Sequence, residues 1–259
     1  MKKFLLLLIA GFIFASCEQP LSEEEFPYEA KLVIRGIIED GKPIKDIYIG
    51  RIMPVGVPYS KEFTQIKDAS AVIVYKDSLY TLKHISEGLY SSNLIAHKGE
   101  KYTLLVNWND KFATADTYVP VPGNITDMQM VQSAGNNPYS YLNVTIQANG
   151  KECYGAYWFI KASNGTILSQ SFKINEITVA EKNIPIAKVP TDTIPKGLTS
   201  SIFSARVVVF DGVVYDYFKT QNSTLLTDNV FGQAGINVNW NVKGDGIGMF
   251  VGKAEVVSQ

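Results

Sequence analysis

KYTLLVNWNDKFATADTYV, residues 101–119, decides the fold. Aromatic and branched residues alternate with polar ones on both sides of Asn109-Asp110. Two period-two runs joined by a turn-forming pair describe a β-hairpin. The same pattern recurs outward. Toward the N-terminus, residues 31–38 close at Glu39-Asp40-Gly41, residues 46–53 follow, and residues 69–75 turn through Lys76-Asp77 toward residues 79–84. About seven strands in about 90 residues, with no helix of ordinary length among them, predict an antiparallel sandwich of immunoglobulin or transthyretin type.

Toward the C-terminus, Pro120-Val121-Pro122-Gly123 interrupts the pattern, because two prolines around one residue disfavour a central strand and stiffen the connection. A domain boundary is therefore expected at Pro120. Beyond it, residues 141–146, 156–162, 204–210 and 246–257 again read as strands. Between the last two, residues 213–226 place Val214, Tyr217, Phe218, Leu225 and Leu226 on one face of the single expected helix. Pro185, Pro190 and Pro195 mark residues 183–197 as a loop or edge. The expected fold class is all-β: two antiparallel β-sandwich domains, residues 29–120 and 121–259, the second carrying one short helix.

The N-terminus sets the compartment. Met1-Lys2-Lys3 is a short cationic start, and residues 4–14 form an apolar run, too short to cross a bilayer, that has the form of a signal peptide. The run ends in Phe14-Ala15-Ser16-Cys17, which resembles a bacterial lipobox. Residues 1–16 are then a leader, and Cys17 becomes the acylated first residue. Several acyl chains anchor stably where one is marginal, since each buried CH₂ contributes roughly 0.8 kcal/mol. Residues 17–28 form a polar, acidic tether. Within it Ser22-Glu23-Glu24-Glu25 resembles the acidic export signal of Bacteroidota surface lipoproteins.

Composition removes several function classes. The 24 Lys+Arg nearly balance 25 Asp+Glu, and a leader that takes Lys2 and Lys3 with it leaves an excess of three acidic groups. That chain lacks the basic face that displaces counterions from nucleic acid. Charged residues at 19% and hydrophobic ones at 46% build a core rather than a disordered chain. Two Cys and two His supply neither a disulfide framework nor a structural zinc site.

Chemistry-bearing motifs are sparse. Gly244 to Lys253 is rich in glycine, but it continues as a strand where a dinucleotide fingerprint would open a helix. Its Gly248–Gly252 spacing also misses a phosphate-binding loop by one residue. His84 and His97 read as surface histidines, and Cys153 as a structural thiol without an activating base. No cofactor is expected. Trp108, Trp158 and Trp240 could form a stacking platform for a sugar or aromatic ligand, but core packing is the stronger reading for aromatics in a sandwich. Trp108, at a hairpin tip, is the expected exception and the candidate ligand contact. Four Asn-x-Ser/Thr triplets, at Asn124, Asn143, Asn164 and Asn222, carry no weight in a bacterial lipoprotein. Asp77-Ser78-Leu79 and Asp192-Thr193-Ile194 resemble a bacterial O-glycosylation signal, with Ser78 and Thr193 as acceptors.

LVIRGII (32–38), DASAV (68–72), GLY (88–90) with KGEKYTL (98–104), TADTYVP (114–120), YDYF (215–218) and GDGIGMF (244–250) together resemble a family of Bacteroidota lipoproteins, the one described as domain of unknown function 4249. Phe231-Gly232 and residues 237–241 follow its pattern only loosely. The resemblance implies a surface-associated lipoprotein, often encoded beside an outer-membrane TonB-dependent transporter, and it brings no catalytic residues. The leading expectation is a non-catalytic protein, lipid-anchored in the outer membrane and facing the exterior, that binds a ligand or serves such a transporter. A fimbrillin-like pilus subunit, released by cleavage after Arg35 or Arg51, is the second reading. A cell-surface hydrolase is the third.

Overall fold

A computed structural model describes residues 27–132, 140–147, 152–161, 167–174, 184–185, 189–191, 203–221 and 238–257. They are mostly strand. The elements are β1 (Leu32–Glu39), β2 (Ile47–Arg51), α1 (Lys61–Thr64), β3 (Ser70–Tyr75), β4 (Ser78–Ser86), β5 (Leu89–Ser91), β6 (Lys101–Trp108) and β7 (Lys111–Tyr118). After the Pro120–Pro122 break come β8 (Asn124–Gln132), β9 (Ser140–Gln147), β10 (Glu152–Lys161), β11 (Ile167–Ile174), β12 (Ile184–Pro185), β13 (Val189–Thr191) and β14 (Phe203–Asp211). Then follow α2 (Val213–Gln221), β15 (Val242–Gly244) and β16 (Gly246–Val257).

Alternation dictates the core. On β6, Tyr102, Leu104 and Val106 are fully buried, while on β7 Ala113, Ala115 and Thr117 face inward and Phe112, Asp116 and Tyr118 outward. The same rule buries Leu32, Ile34 and Ile38 on β1 and Ile47 and Ile49 on β2. At roughly 1.5–3 kcal/mol per large side chain withdrawn from water, this cluster is the main favourable term for the N-terminal half. Tyr90 is buried too, and its hydroxyl donates to Ile66 O and accepts from Ala69 N, so its polar end is satisfied inside the core. A four-residue helix, α1, is an addition to the expected strands. Ser60 caps it, its Oγ accepting from Phe63 N at 3.2 Å.

The strand path is β11-β10-β14-β16-β1-β2-β5-β4-β3-β6-β7-β15, with β8, β9, β12 and β13 in a second sheet. Residues 29–120 hold seven strands, as expected. Among the described residues one pairing departs from the antiparallel rule, since β1 and β16 run parallel from Leu32↔Gly246 to Glu39↔Lys253. The parallel partner comes from more than 200 residues away in the chain, which leaves room for any crossover. β16 also pairs antiparallel with β14, and β15 pairs with β7. A division at Pro120 therefore places β15 and β16 in the C-terminal domain although both are hydrogen-bonded to N-terminal strands. Asp245 alone separates β15 from β16, so the path curls and its two regions meet. Gly252 makes that closure possible, because a Cβ there would run into the Tyr118 carbonyl.

Of the expected helix, Val213–Gln221 is α2, and residues 222–226 lie outside the described residues. Pro185 and Pro190 sit on two short strands that each pair with β9, in keeping with an edge position.

Candidate functional site

Two segments of this chain read Val-Asn-Trp-Asn, residues 106–109 and 238–241. Their tryptophans have different surroundings. Trp108 ends β6 at the hairpin tip, as expected, but its side chain is half-buried against the core. Its Nε1 donates to Asp68 Oδ1 at 3.0 Å, and the Arg51 guanidinium lies 5.2 Å from its ring. Arg51 is itself fixed, donating from Nε to Phe63 O and stacking 4.1 Å over the Phe63 ring. Trp108 is thus a member of a packed Trp–Arg–Phe stack.

Trp240 is the exposed one, at 39%. It stands over a groove of about 470 Å³ formed by Thr114 and Asp116 of β7, Val213 and Asp216 of α2, Asn239, Asn241 and Lys243. Its ring centroid lies 5.4 Å from that of Tyr217, so α2 supports one side of the indole.

Two side chains hold the groove together, one lining it and one beneath it. Asn241 is the central clamp: Nδ2 donates to Asp116 O and to Phe250 O, and Oδ1 accepts from Phe250 N at 2.9 Å. One amide thereby ties the Trp240 segment to both β7 and β16. Asp211, closing β14, positions α2. Its Oδ2 accepts from Thr117 Oγ1 and Tyr118 N, both at 2.9 Å, and its Oδ1 from Val213 N at the helix start. Thr117 is buried and passes the contact on, accepting from Gly252 N. In the sequence, Asp211-Gly212 reads only as a turn signal.

Asp116 supplies the groove's fixed charge. Burial alone would raise its carboxyl, but hydrogen bonds from Thr103 and Lys101, with the charges of Lys101 and Lys243, outweigh that and hold it below the usual aspartate range. It is an ionised acceptor at neutral pH. A flat apolar indole face beside carboxylates, amides and one ammonium suits a ligand with both a C–H face and a rim of hydroxyls.

The other sequence candidates fall as follows. Cys17, Ser22, Glu23, Glu24, Glu25 and Thr193 lie outside the described residues, as does the side chain of Trp158. Ser78 opens β4 at an exposed hairpin whose turn residues Lys76 and Asp77 both have positive φ. His97 is exposed. His84 is half-buried edge-on against Tyr90 with its Nε2 unpartnered among the described residues, a departure from the expected surface position. Cys153 is fully buried, and burial pushes its thiol up to about 12, which leaves no thiolate for nucleophilic work at neutral pH. Gly244 and Gly248 take positive φ at the β15–β16 junction, where the strand continues as expected.

A family model described as "Domain of unknown function (DUF4249)" matches residues 18–259. No curated protein matches. Among solved structures, the chain is similar at 11% identity to one titled "Cytokine receptor complex - Crystal form 2", covering 70% of this chain and 93% of that one at a TM-score of 0.26. It is similar at 10% identity to one titled "Crystal structure of bovine butyrophilin", covering 90% and 100% at 0.23.

Proposed function

Since the chain belongs to the DUF4249 family, whose description names no activity, we propose that it is a lipid-anchored binding protein of the bacterial outer membrane. It holds a sugar-like ligand in the Trp240 groove and serves a TonB-dependent transporter as an accessory. The observation that carries the binding role is Trp240 itself, an exposed indole over a groove of polar side chains fixed by Asn241 and Asp211. The Asp116 carboxyl suits a hydrogen-bond acceptor for ligand hydroxyls and not a general acid. A general acid needs its pKa raised toward working pH, and this one is moved the other way. The anchor and the Bacteroidota surface setting rest on Phe14-Ala15-Ser16-Cys17 and the acidic run Ser22 to Glu25.

Binding is tested on an array of soluble oligosaccharides with the intact chain, Trp240→Ala and Trp108→Phe. Binding lost in the first variant and kept in the second is the expected result. Equal retention in both would overturn the groove assignment. Anchoring is tested separately by membrane fractionation of Cys17→Ala, which should leave the membrane fraction. Co-purification of a transporter with the wild-type protein tests the accessory role.

A further inference from the structure

The connection between β2 and α1 reads Ile52-Met-Pro-Val-Gly-Val-Pro-Tyr-Ser60. Val55, Val57 and Tyr59 are 55%, 44% and 76% exposed. Exposed apolar residues scattered singly are ordinary, whereas three within five residues of one loop make a patch that calls for an occupant. The loop is closed at its base, where Ser60 N donates to Met53 Sδ at 3.3 Å. Pro54 and Pro58 flank the apolar tip and restrict its backbone.

The first described residues lie at the same place. Tyr28 Oη donates to Ile52 O at 3.0 Å, and its ring packs 6.0 Å from Phe63, so Tyr28 touches the chain on both sides of the loop. Ile52 N donates to Lys31 O just beyond. Cys17 is eleven residues upstream of Tyr28, a reach of at most about 40 Å even fully extended. An acyl group at Cys17 would therefore keep this end of the fold close to the lipid surface.

We propose that the Val55–Tyr59 loop is a membrane-contact surface, seating its valines and tyrosine in the lipid interface as a second attachment beside the anchor. The proposal rests on the reading of Cys17 as acylated. Chemistry fits the occupant: two small apolar side chains give area, and a tyrosine places an apolar ring with a polar end at headgroup level. Several acyl chains at Cys17 already hold the protein at the surface, so what a second point of attachment adds is orientation. The groove then stands clear of the contact end. Thr114 and Asp116 lie three and five residues up β7 from the Trp108–Lys111 turn, about 10–17 Å along the strand from this end.

The experiment uses the full chain, processed in its host and purified lipidated, in vesicles of phosphatidylethanolamine with phosphatidylglycerol. Val57→Cys, Tyr59→Cys and Leu79→Cys are labelled with an environment-sensitive fluorophore. Leu79 is a comparably exposed apolar residue, at 71%, beside the opposite hairpin of Lys76-Asp77. The buried Cys153 thiol does not compete for label, and the unsubstituted chain is the blank. Expected is flotation with the vesicles, with a blue shift at positions 57 and 59 and none at 79. Flotation with 57 and 59 as water-exposed as 79 overturns the loop proposal, spares the anchor and leaves the patch to a protein partner. A shift at all three positions overturns the orientation. Failure to float overturns the anchor reading, and the loop proposal with it.

Discussion

The two Val-Asn-Trp-Asn segments compare residue for residue, and the differences between them come from packing. Val106 is fully buried on β6, whereas Val238 is partly exposed and precedes β15. Trp108 is covered by Arg51 and hydrogen-bonded to Asp68, whereas Trp240 is exposed over the groove. The last residue shows the contrast best. Asn109 has φ +51 and serves the hairpin through its backbone, since asparagine tolerates the left-handed region better than most residues. Asn241 serves through its side chain, which bridges β7 and β16. One tetrapeptide thus fills two structural roles.

The strongest way to break the comparison is to exchange those asparagines. Asn241→Ala leaves Phe250 N, Phe250 O and Asp116 O without their partner and should cost about 2–3 kcal/mol in urea unfolding, with Asn241→Gly no better. A loss below half that figure would show that water replaces the amide and that the clamp is dispensable.

Trp108→Ala should come next, at about 2 kcal/mol, because it opens a half-buried site and frees the Asp68 contact. Trp240→Ala should stay within about 0.5 kcal/mol of wild type while abolishing groove binding. Matching losses from the two tryptophan variants would erase the distinction between a packed indole and a presented one.

At the hairpin tip, Asn109→Ala should cost about 1 kcal/mol by thermal unfolding and Asn109→Gly close to nothing. Rescue by glycine at 109 and not at 241 would sharpen the contrast of backbone against side-chain use.

The smallest effect is the pH dependence of Asp116. Its folded pKa lies below its unfolded one, so the stabilisation is fully present above the unfolded value. It is lost as pH falls through the folded value. Acid unfolding should therefore begin at a slightly higher pH in wild type than in Asp116→Asn measured relative to its own neutral-pH stability. The difference should be modest, because the carboxylate is half-exposed and screened. An identical acid limb in both proteins would remove Asp116 from the pH response.

Legibility in the sequence follows the same division. The hairpin at residues 101–119 and the strands before it are readable because side-chain alternation is a local consequence of the extended backbone. β5 escapes because three residues are too few to show a period, and β15 because Val242-Lys-Gly244 follows no alternation. α1 follows a capping serine, Ser60, but four residues give no helical repeat to detect. The site is less legible. Trp240 reads as one more packed aromatic, and Asp211 and Asn241 act through contacts with residues 94 and 125 positions away.

The sequence by itself determined that this is an all-β protein, since side-chain alternation depends on composition and short-range order, and it supplied the residues 1–28 on which the proposed anchor rests. Tertiary structure alone decided that β16 lies parallel to β1, that β15 and β16 tie the C-terminus to the N-terminal strands, and that Trp240 rather than Trp108 is presented to solvent. Strand formation depends on a residue and its near neighbours, whereas strand partners and exposure depend on which distant surfaces pack together.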